Sequence, residues 1–338
     1  MDGGGEGRVA DQKKGKRRIT SVDVAREAGL SRATVSFVLN DTPGQSIPEA
    51  TRQRVLQAAA RLGYTPYAPA RTLRSGRSDV VLFVLPDWPQ GPTMAELVDR
   101  AAQVLAGAGL TLVTHVHTGR DDDLARLWTA LAPAAVFGMR PFTAGERAGM
   151  KRANIAAVLP SPEQSGHDVG STLWLNGVGR LQAQYLIGKG HTRLAYVLPD
   201  DPRLSALGQG RAEGAAQACA EAGLPVPIVA TIPLDAAAAA ETVAGWRRPP
   251  GAVCAYNDEV ALALLAGMRK LGTSLPVIGA DDIPAARFAV PPLTTVAQDS
   301  GELGARIAAA LLRALNGEPS QLDVLPDAGI RVVERESA

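Results

Sequence analysis

Apolar positions along this chain follow two regimes. Up to about residue 64 they recur at helical spacing in short stretches, and from residue 79 onward they gather into short continuous runs separated by amphipathic segments. In the first regime "SVDVAREA" places Val22, Val24, Ala25 and Ala28 on a small apolar face, with Ser21 as the expected N-cap. Gly29 follows, and glycine ends a helix readily because it accepts positive φ. "GLSRATVSFVLN" then reads as a second helix, recapped by Ser31 and burying Val35, Val38 and Leu39. A third, "SIPEATRQRVLQAAARLGY", has Ser46 and Glu49 at capping-box spacing and Pro48 in its first turn. Val55, Ala59 and Leu62 share one of its faces, and Gly63 ends it.

The first two helices are too short to hold a core alone. Ala25 lets them approach, Gly29 supplies a tight turn, and with Leu30, Val35 and Val38 the spacing is that of a helix-turn-helix. In that motif the N-terminal part of the second helix enters the major groove of DNA. Arg32, Ala33, Thr34, Ser36 and Phe37 occupy that part and are the expected base-reading groups. The competing reading is a small structural hairpin.

The second regime predicts a different architecture. The runs "VVLFVLP", "LTLVTH", "AAVFGM", "IAAVLP", "HTRLAYVLP", "VPIVATI", "GAVCAYN" and "LPVIGAD" alternate with helical stretches, and Gly109, Gly190, Gly223 and Gly272 lead from a helix into the next run. Such alternation predicts doubly wound parallel sheets with helices on both faces, and residues 79–338 suffice for two lobes. Ligands in such folds bind beyond the carboxyl ends of the strands, so polar residues just after each run are the candidates. They are Asp87 and Trp88, Asn257 and Asp258, and Asp281 and Asp282, together with Arg211 near the start of a helix in "GQGRAEG". Asp258 reads as a helix cap, whereas Asn257 and Asp281 read as ligand groups. Carboxylate, amide and guanidinium converging on a cleft suit a polyhydroxylated or carboxylated small molecule.

Charge sharpens the division. Residues 1–78 carry 14 Lys+Arg against 7 Asp+Glu, a net +7, while the remaining 21 against 27 give −6. A basic head on an acidic body fits a polyanion-binding module joined to a separate domain, although a basic tail also serves simply to keep a protein in solution. With 46% hydrophobic and 20% charged residues the chain is an ordinary globular one, and no apolar run approaches a bilayer span. "MDGGGEGRVADQKKGKRR" lacks the apolar region of a secretory signal, so a cytoplasmic protein without membrane association is expected. Cys219 and Cys254 read as buried reduced thiols with neither disulfide nor metal spacing. His115, His117, His167 and His191 show no zinc or triad spacing and read as surface or loop residues. Gly208, Gly210 and Gly214 imitate a dinucleotide fingerprint only weakly, because the spacing is long and the preceding strand ends too early. No catalytic group, metal or cofactor is expected.

The stretch from Ile19 to Ser78, "TSVDVAREAGLSRATVSFVLN…SIPEATRQRVLQAAARLGYTPYAPARTLRSGRS", resembles the DNA-binding head and hinge of the lactose/galactose repressor (LacI/GalR) family. The resemblance implies a disordered basic tail over 1–18, a helix-turn-helix domain over 19–64 and a hinge over 65–78. It also implies that Thr20, Ser31 and Asn40 contact DNA with the groups above, and that Arg74 contributes there. In the family the hinge folds into a short helix on the operator and a leucine wedges into the minor groove. The matching residue is Leu73, with Ala70 beside it. Tyr67 departs from the usual Asn, and Pro69 is the expected hinge-helix start.

"GRLQAQYLIGKGHTRLAYV", "GRAEGAAQACAEAG", "CAYNDEVALALL", "VIGADD" and "PPLTTVAQD…LGARIAAALL" resemble the effector-binding core of the same repressors, itself similar to periplasmic sugar-binding proteins. Arg211, Asn257 and Asp281 match effector-contacting positions, and Asn176 matches the lobe crossing, where Leu175 replaces a usual aspartate. "DAAAAAETVAGW" is alanine-rich where sugar-binding members of the family often place a stacking aromatic, and Trp88 is a candidate platform. The resemblance implies a homodimeric regulator, a repressor, on pseudo-palindromic double-stranded DNA, with a small-molecule effector between the lobes of residues 79–338. "RVVERESA" carries no leucine heptads, so no added tetramerisation helix is expected. An effector-independent regulator remains the alternative. A solute-binding protein or Rossmann-like enzyme would not require residues 19–78.

Overall fold

The computed structural model describes residues 19–39, 45–64, 78–119, 121–140, 142–160, 173–320 and 329–338. The sequence expectations for Asn40, Tyr67, Pro69, Ala70, Leu73, Arg74 and His167, and for the 1–18 tail and nearly all of the hinge, lie outside these residues. The chain divides into two compact units, Met1–Ser75 and Gly76–Ala338.

In the first unit α1 (Ser21–Ala28), α2 (Arg32–Leu39) and α3 (Glu49–Leu62) enclose a core of Val24, Val35, Val55 and Ala58. The N-cap of α1 is Thr20, not Ser21: the Asp23 carboxylate accepts from the Thr20 amide at 2.9 Å and its hydroxyl at 2.7 Å. Val22, two residues and thus about 200° round the helix from Val24, faces solvent instead of the core. Gly29 adopts φ 63°, and the Leu30 amide closes back onto the Ala25 carbonyl at 3.0 Å. The expected Ser46–Glu49 capping box does not form. The residue before a proline is disfavoured in the helical region, so the helix cannot begin at Ile47; Pro48 is the extended N-cap and Glu49 the first helical residue. Arg54 of α3 donates to the Ala28 carbonyl at 2.7 Å, pinning the end of α1.

The second unit holds two sheets. The first lobe contains β1 (Val80–Pro86), α4 (Pro92–Gly107), β2 (Thr111–His117), α5 (Asp121–Leu131), β3 (Ala135–Gly138), α6 (Ala144–Arg152) and β4 (Ala157–Leu159). Its parallel sheet runs in the order β2-β1-β3-β4. The second lobe contains α7 (Leu173–Gly188), β5 (Leu194–Pro199), α8 (Ser205–Glu221), β6 (Ile228–Ile232), α9 (Ala236–Ala244), β7 (Ala252–Ala255), α10 (Asp258–Leu271), β8 (Val277–Ala280) and β9 (Thr294–Gln298). Its order is β10-β9-β8-β7-β5-β6, with β10 (Ile330–Val333) antiparallel at the edge.

The lobes are interleaved in sequence. After β9, α11 (Ser300–Leu315) crosses back to pack on α4, where a Cβ on Gly304 would lie 2.2 Å from the Leu97 carbonyl oxygen. The chain then returns as β10, and Ser337 is buried, accepting from the Thr294 amide at 2.8 Å and donating to the Val277 carbonyl at 2.6 Å. Inside the second lobe Gln182 is fully buried, its amide donating to the Ala255 and Gly279 carbonyls at 2.8 Å each, and the Tyr196 hydroxyl donates to its oxygen at 2.9 Å. These bonds tie α7 to the middle of the sheet.

Candidate functional site

The start of α2 offers one candidate site. Ser31 Oγ accepts from the Thr34 amide at 3.0 Å and shares a hydrogen bond with the Thr34 hydroxyl at 2.8 Å, so the expected recapping is present. Val35 and Val38 anchor the helix inward, which leaves Ser31, Arg32 and Ala33 exposed and Thr34, Ser36 and Phe37 half-buried. Thr20 is exposed, with its hydroxyl committed to Asp23. A short, exposed, mildly basic helix start is the shape that fits a groove of duplex DNA.

The second candidate is a cavity of about 410 Å³ between the two lobes. Its wall is made where strands end: Trp88 follows β1, Met139 follows β3, Asp200 follows β5, Pro233 follows β6, Tyr256 and Asn257 follow β7, Asp281 follows β8 and Gln298 ends β9. Parallel strands leave their carboxyl ends unobstructed at such a crevice.

Arg211 organises the floor. It lies within α8 rather than near its start, 6% exposed. One terminal nitrogen donates to the Tyr256 carbonyl, the other stands 3.5 Å from Asp281 Oδ1, and the guanidinium carbon is 4.6 Å from the centre of the Tyr256 ring. Burial opposes the charge, but the Asp281 carboxylate and the two nearby tyrosines hold the Arg211 pKa above its ordinary value. Gln298 Nε2 donates to the same Asp281 oxygen at 2.6 Å. Asp281 and Asp282 adopt φ of 101° and 47°, a region that non-glycine residues seldom enter. Arg335 holds Asp282 at 2.5 Å.

Asn257 keeps its expected place on the cavity wall but also takes the cap role expected of Asp258. Asn257 caps α10, its Oδ1 accepting from the Val260 amide at 3.0 Å, while it also lines the cavity. Asp258 is no cap: it is fully buried, accepting from the Thr295 hydroxyl at 2.6 Å and the Ile283 amide at 2.8 Å. Burial pushes its pKa up to about 7 against those two hydrogen bonds. A Cβ on Gly279 would fall 2.1 Å from its carboxylate, so β8 needs glycine there to admit it.

Two further expectations change. Asp87 is not among the cavity-lining residues; it stands 3.6 Å from Arg203 across the lobes, both side chains about half exposed. Asn176 also lies away from the lining, on α7, where its backbone carbonyl faces Gly214 and its side-chain oxygen is buried with no hydrogen-bond partner among the described residues. Gly208, Gly210 and Gly214 sit inside α8, not in a phosphate loop, and Gly214 serves close packing against α7. His115 and His117 are strand residues on β2 rather than loop residues, each with one ring nitrogen buried; burial and the neighbouring His117 lower the His115 pKa against the pull of Asp123.

Sequence reasoning missed Gln298, Tyr256, Asp200 and Glu259 on the cavity wall, and the apolar Met94, Met139 and Leu207. Had "TTVAQ" been read as a strand, the strand-end rule would have found Gln298. Cys219 and Cys254 are buried free thiols. Among the described residues no group of three or more His, Cys, Asp or Glu side chains is placed to hold a metal, and no helix is long and apolar enough to cross a membrane.

Comparison with known proteins follows the same division. Residues 20–67 match the model of bacterial regulatory proteins of the lacI family, and residues 183–338 match a periplasmic binding protein-like domain. The transcriptional repressor PurR of Vibrio parahaemolyticus is 30% identical over 302 residues, spanning 84% of this chain and 88% of the relative. The transcriptional regulator CelR of Thermobifida fusca is 28% identical over 344 residues, spanning 90% and 94%. Among solved structures, the lac repressor dimer bound to operator and an anti-inducer gives a TM-score of 0.75 at 20% identity, covering 95% of this chain and 99% of that one. A CelR–cellobiose complex gives 0.61 at 25% identity, covering 95% and 100%.

Proposed function

The chain belongs to the lacI family of bacterial regulatory proteins, and from that premise we propose that it is a homodimeric repressor on a pseudo-palindromic operator, answering a small molecule held between its lobes. It is a DNA-binding transcriptional regulator, not an enzyme. The observation that carries the reading is the pairing, in one chain, of an exposed helix-turn-helix reading edge with a cavity on which strand ends of two lobes converge.

The roles divide accordingly. Arg32, Ala33 and Phe37 choose bases, helped by Ser36 and the Ser31–Thr34 cap, with Thr20 and Asn40 at the flanks. Leu73 and Ala70 form the minor-groove wedge, and Arg71 and Arg74 supply phosphate affinity. Arg211, Asn257, Asp281 and Trp88 contact the effector. Asp87 and Asn176 act on the lobes from outside the cavity, through Arg203 and the α7–α8 packing.

Two copies are needed because one short reading helix covers only one half-site, and a two-fold dimer gives two. A partly apolar patch suits the second copy: Val290, 73% exposed, lies with Leu262, Leu265 and Ala266 of α10 and Ala289, rimmed by Arg269 and Lys270. An effector alters operator affinity only through its differential affinity for two arrangements of the dimer, about 1–3 kcal/mol in typical cases. Selection from a random duplex pool by the full-length chain tests the DNA reading. Two inverted half-sites are expected; enrichment of no motif overturns it.

A further inference from the structure

The charge and hydrogen-bonding pattern of the interlobe cavity points to a ligand class, an inference that rests on reading this cavity as the effector site. We propose that it takes an uncharged or cationic molecule with a flat apolar ring and hydroxyl or amide groups, and rejects phosphorylated and carboxylated compounds.

Charge argues first. Arg211 is the one cation among the described lining residues, and it is already engaged by Asp281, the Tyr256 carbonyl and the Tyr256 ring. Four carboxylates line the same space: Asp200, Asp201, Glu259 and Asp281. Arg203 sits just outside and holds Asp201 at 2.7 Å, which still leaves the acidic groups in excess. An anion entering this space exchanges water for an acidic wall and finds no uncommitted cation among the described lining residues.

Hydrogen bonding argues second. Because Gln298 Nε2 is committed to Asp281, the amide orientation is set and Oε1 is the end left over. That oxygen is buried with no hydrogen-bond partner among the described residues, and so is Arg211 Nε. One unmet acceptor and one unmet donor call for a ligand carrying both functions, as a hydroxyl or a ring amide does. A phosphate dianion offers acceptors only.

Shape argues third. Trp88, Met94 and Met139 from one lobe and Leu207, Pro199 and Ile283 from the other make much of the wall apolar. A polyol would bury most of its hydroxyls without partners against these side chains, whereas a ring would replace water at little cost.

The test is calorimetric titration of the full-length protein with two matched pairs. They are inosine against inosine 5′-monophosphate, and phenyl β-D-glucoside against its 6-phosphate. At least one unphosphorylated member binds, and its phosphorylated partner binds about tenfold or more weakly, a scale that repulsion of a single charge by this wall would reach and that the phosphate dianion exceeds. Combining Asp200→Asn with Glu259→Gln narrows that gap. A phosphorylated member binding as tightly as its partner overturns the proposal, and so does failure of all four to bind. Operator titration of the same samples separates the two claims. A ring compound that binds without altering operator affinity leaves the ligand class standing and removes the regulatory reading of the cavity.

Discussion

Gly179 lies directly under the backbone of Arg211: a methyl group on its Cα would stand 1.8 Å from the Arg211 carbonyl oxygen. Gly214 repeats the arrangement in reverse, 1.9 Å from the Asn176 oxygen, so α7 and α8 touch backbone to backbone. That contact sets how far α8 projects Arg211 toward Asp281 and the cavity. Gly179→Ala must push the helices apart, and we expect a loss of about 3 kcal/mol, at the upper end of overpacking costs. Gly188→Ala, where nothing lies within 4 Å, is the control and should be neutral or slightly stabilising. Urea unfolding of both variants checks this; equal stabilities would contradict the packing argument.

Asp258 gives the protein a pH dependence of definite sign. The carboxyl ionises near its ordinary 3.8 in the unfolded chain but keeps its proton to about 7 when folded. Between those values the native state binds more protons, so stability falls as pH rises through the window and is level above it. The full fall is about 4 kcal/mol, from roughly 1.4 kcal/mol per unit of difference. In Asp258→Asn this part of the slope should vanish. Unfolding free energies at pH 5 and pH 8 measure it, and an unchanged slope in the variant would show that the native carboxyl is already ionised.

At the DNA, side chains differ in what they determine. Replacing Ala33 or Phe37 should change which bases are preferred at their positions in the half-site. Arg74→Ala should weaken all sequences alike and reduce the salt slope by about one unit, as loss of one phosphate contact does. Binding isotherms at several salt concentrations on two sequences separate the cases. A change of base preference at unchanged salt slope would reverse the assignment of Arg74.

The wedge residue has its own signature. Leu73→Ala should lower specific affinity and operator bending while sparing non-specific binding, which is electrostatic. Bending of circularly permuted operator fragments reports this directly; an unaltered bend would remove Leu73 from that role.

Much of this architecture is legible in the residues, for reasons that are local. Gly29 takes positive φ in a turn closed by Leu30 and Ala25. The inner strands β1, β3, β5, β7 and β8 are apolar runs because both faces of a parallel sheet are covered, whereas the edge strands β2 and β6 alternate between partly buried and exposed residues. β9 escapes that rule because Thr294 and Thr295 are polar yet fully buried, satisfied by Ser337, Arg335 and Asp258 from distant parts of the chain. Edge strand β10 escapes it because its burial is only partial. Asn257 and Asp258 are both good cap formers, and neighbours in sequence do not decide between them. Ile283 and Thr295 decide, by claiming Asp258 for the interior. Asp87 follows a strand as a ligand group should, but Arg203, far off in sequence, takes it as an ion-pair partner.

Operator titration with the Asp281→Asn variant tests most directly that the cavity governs DNA binding. Asn is preferred to Ala because, although both remove the carboxylate charge that faces Arg211, Asn keeps a side-chain oxygen to accept from Arg211 and Gln298, whereas Ala would leave both donors unmet. The ligand is whichever of inosine or phenyl β-D-glucoside binds the wild-type chain. The account predicts that it changes wild-type operator affinity by about 5- to 150-fold. The variant should bind the operator equally well without ligand and show no such change when ligand is added. A variant that responds as the wild type does, or a wild type whose operator affinity is unmoved by a bound ligand, would contradict it.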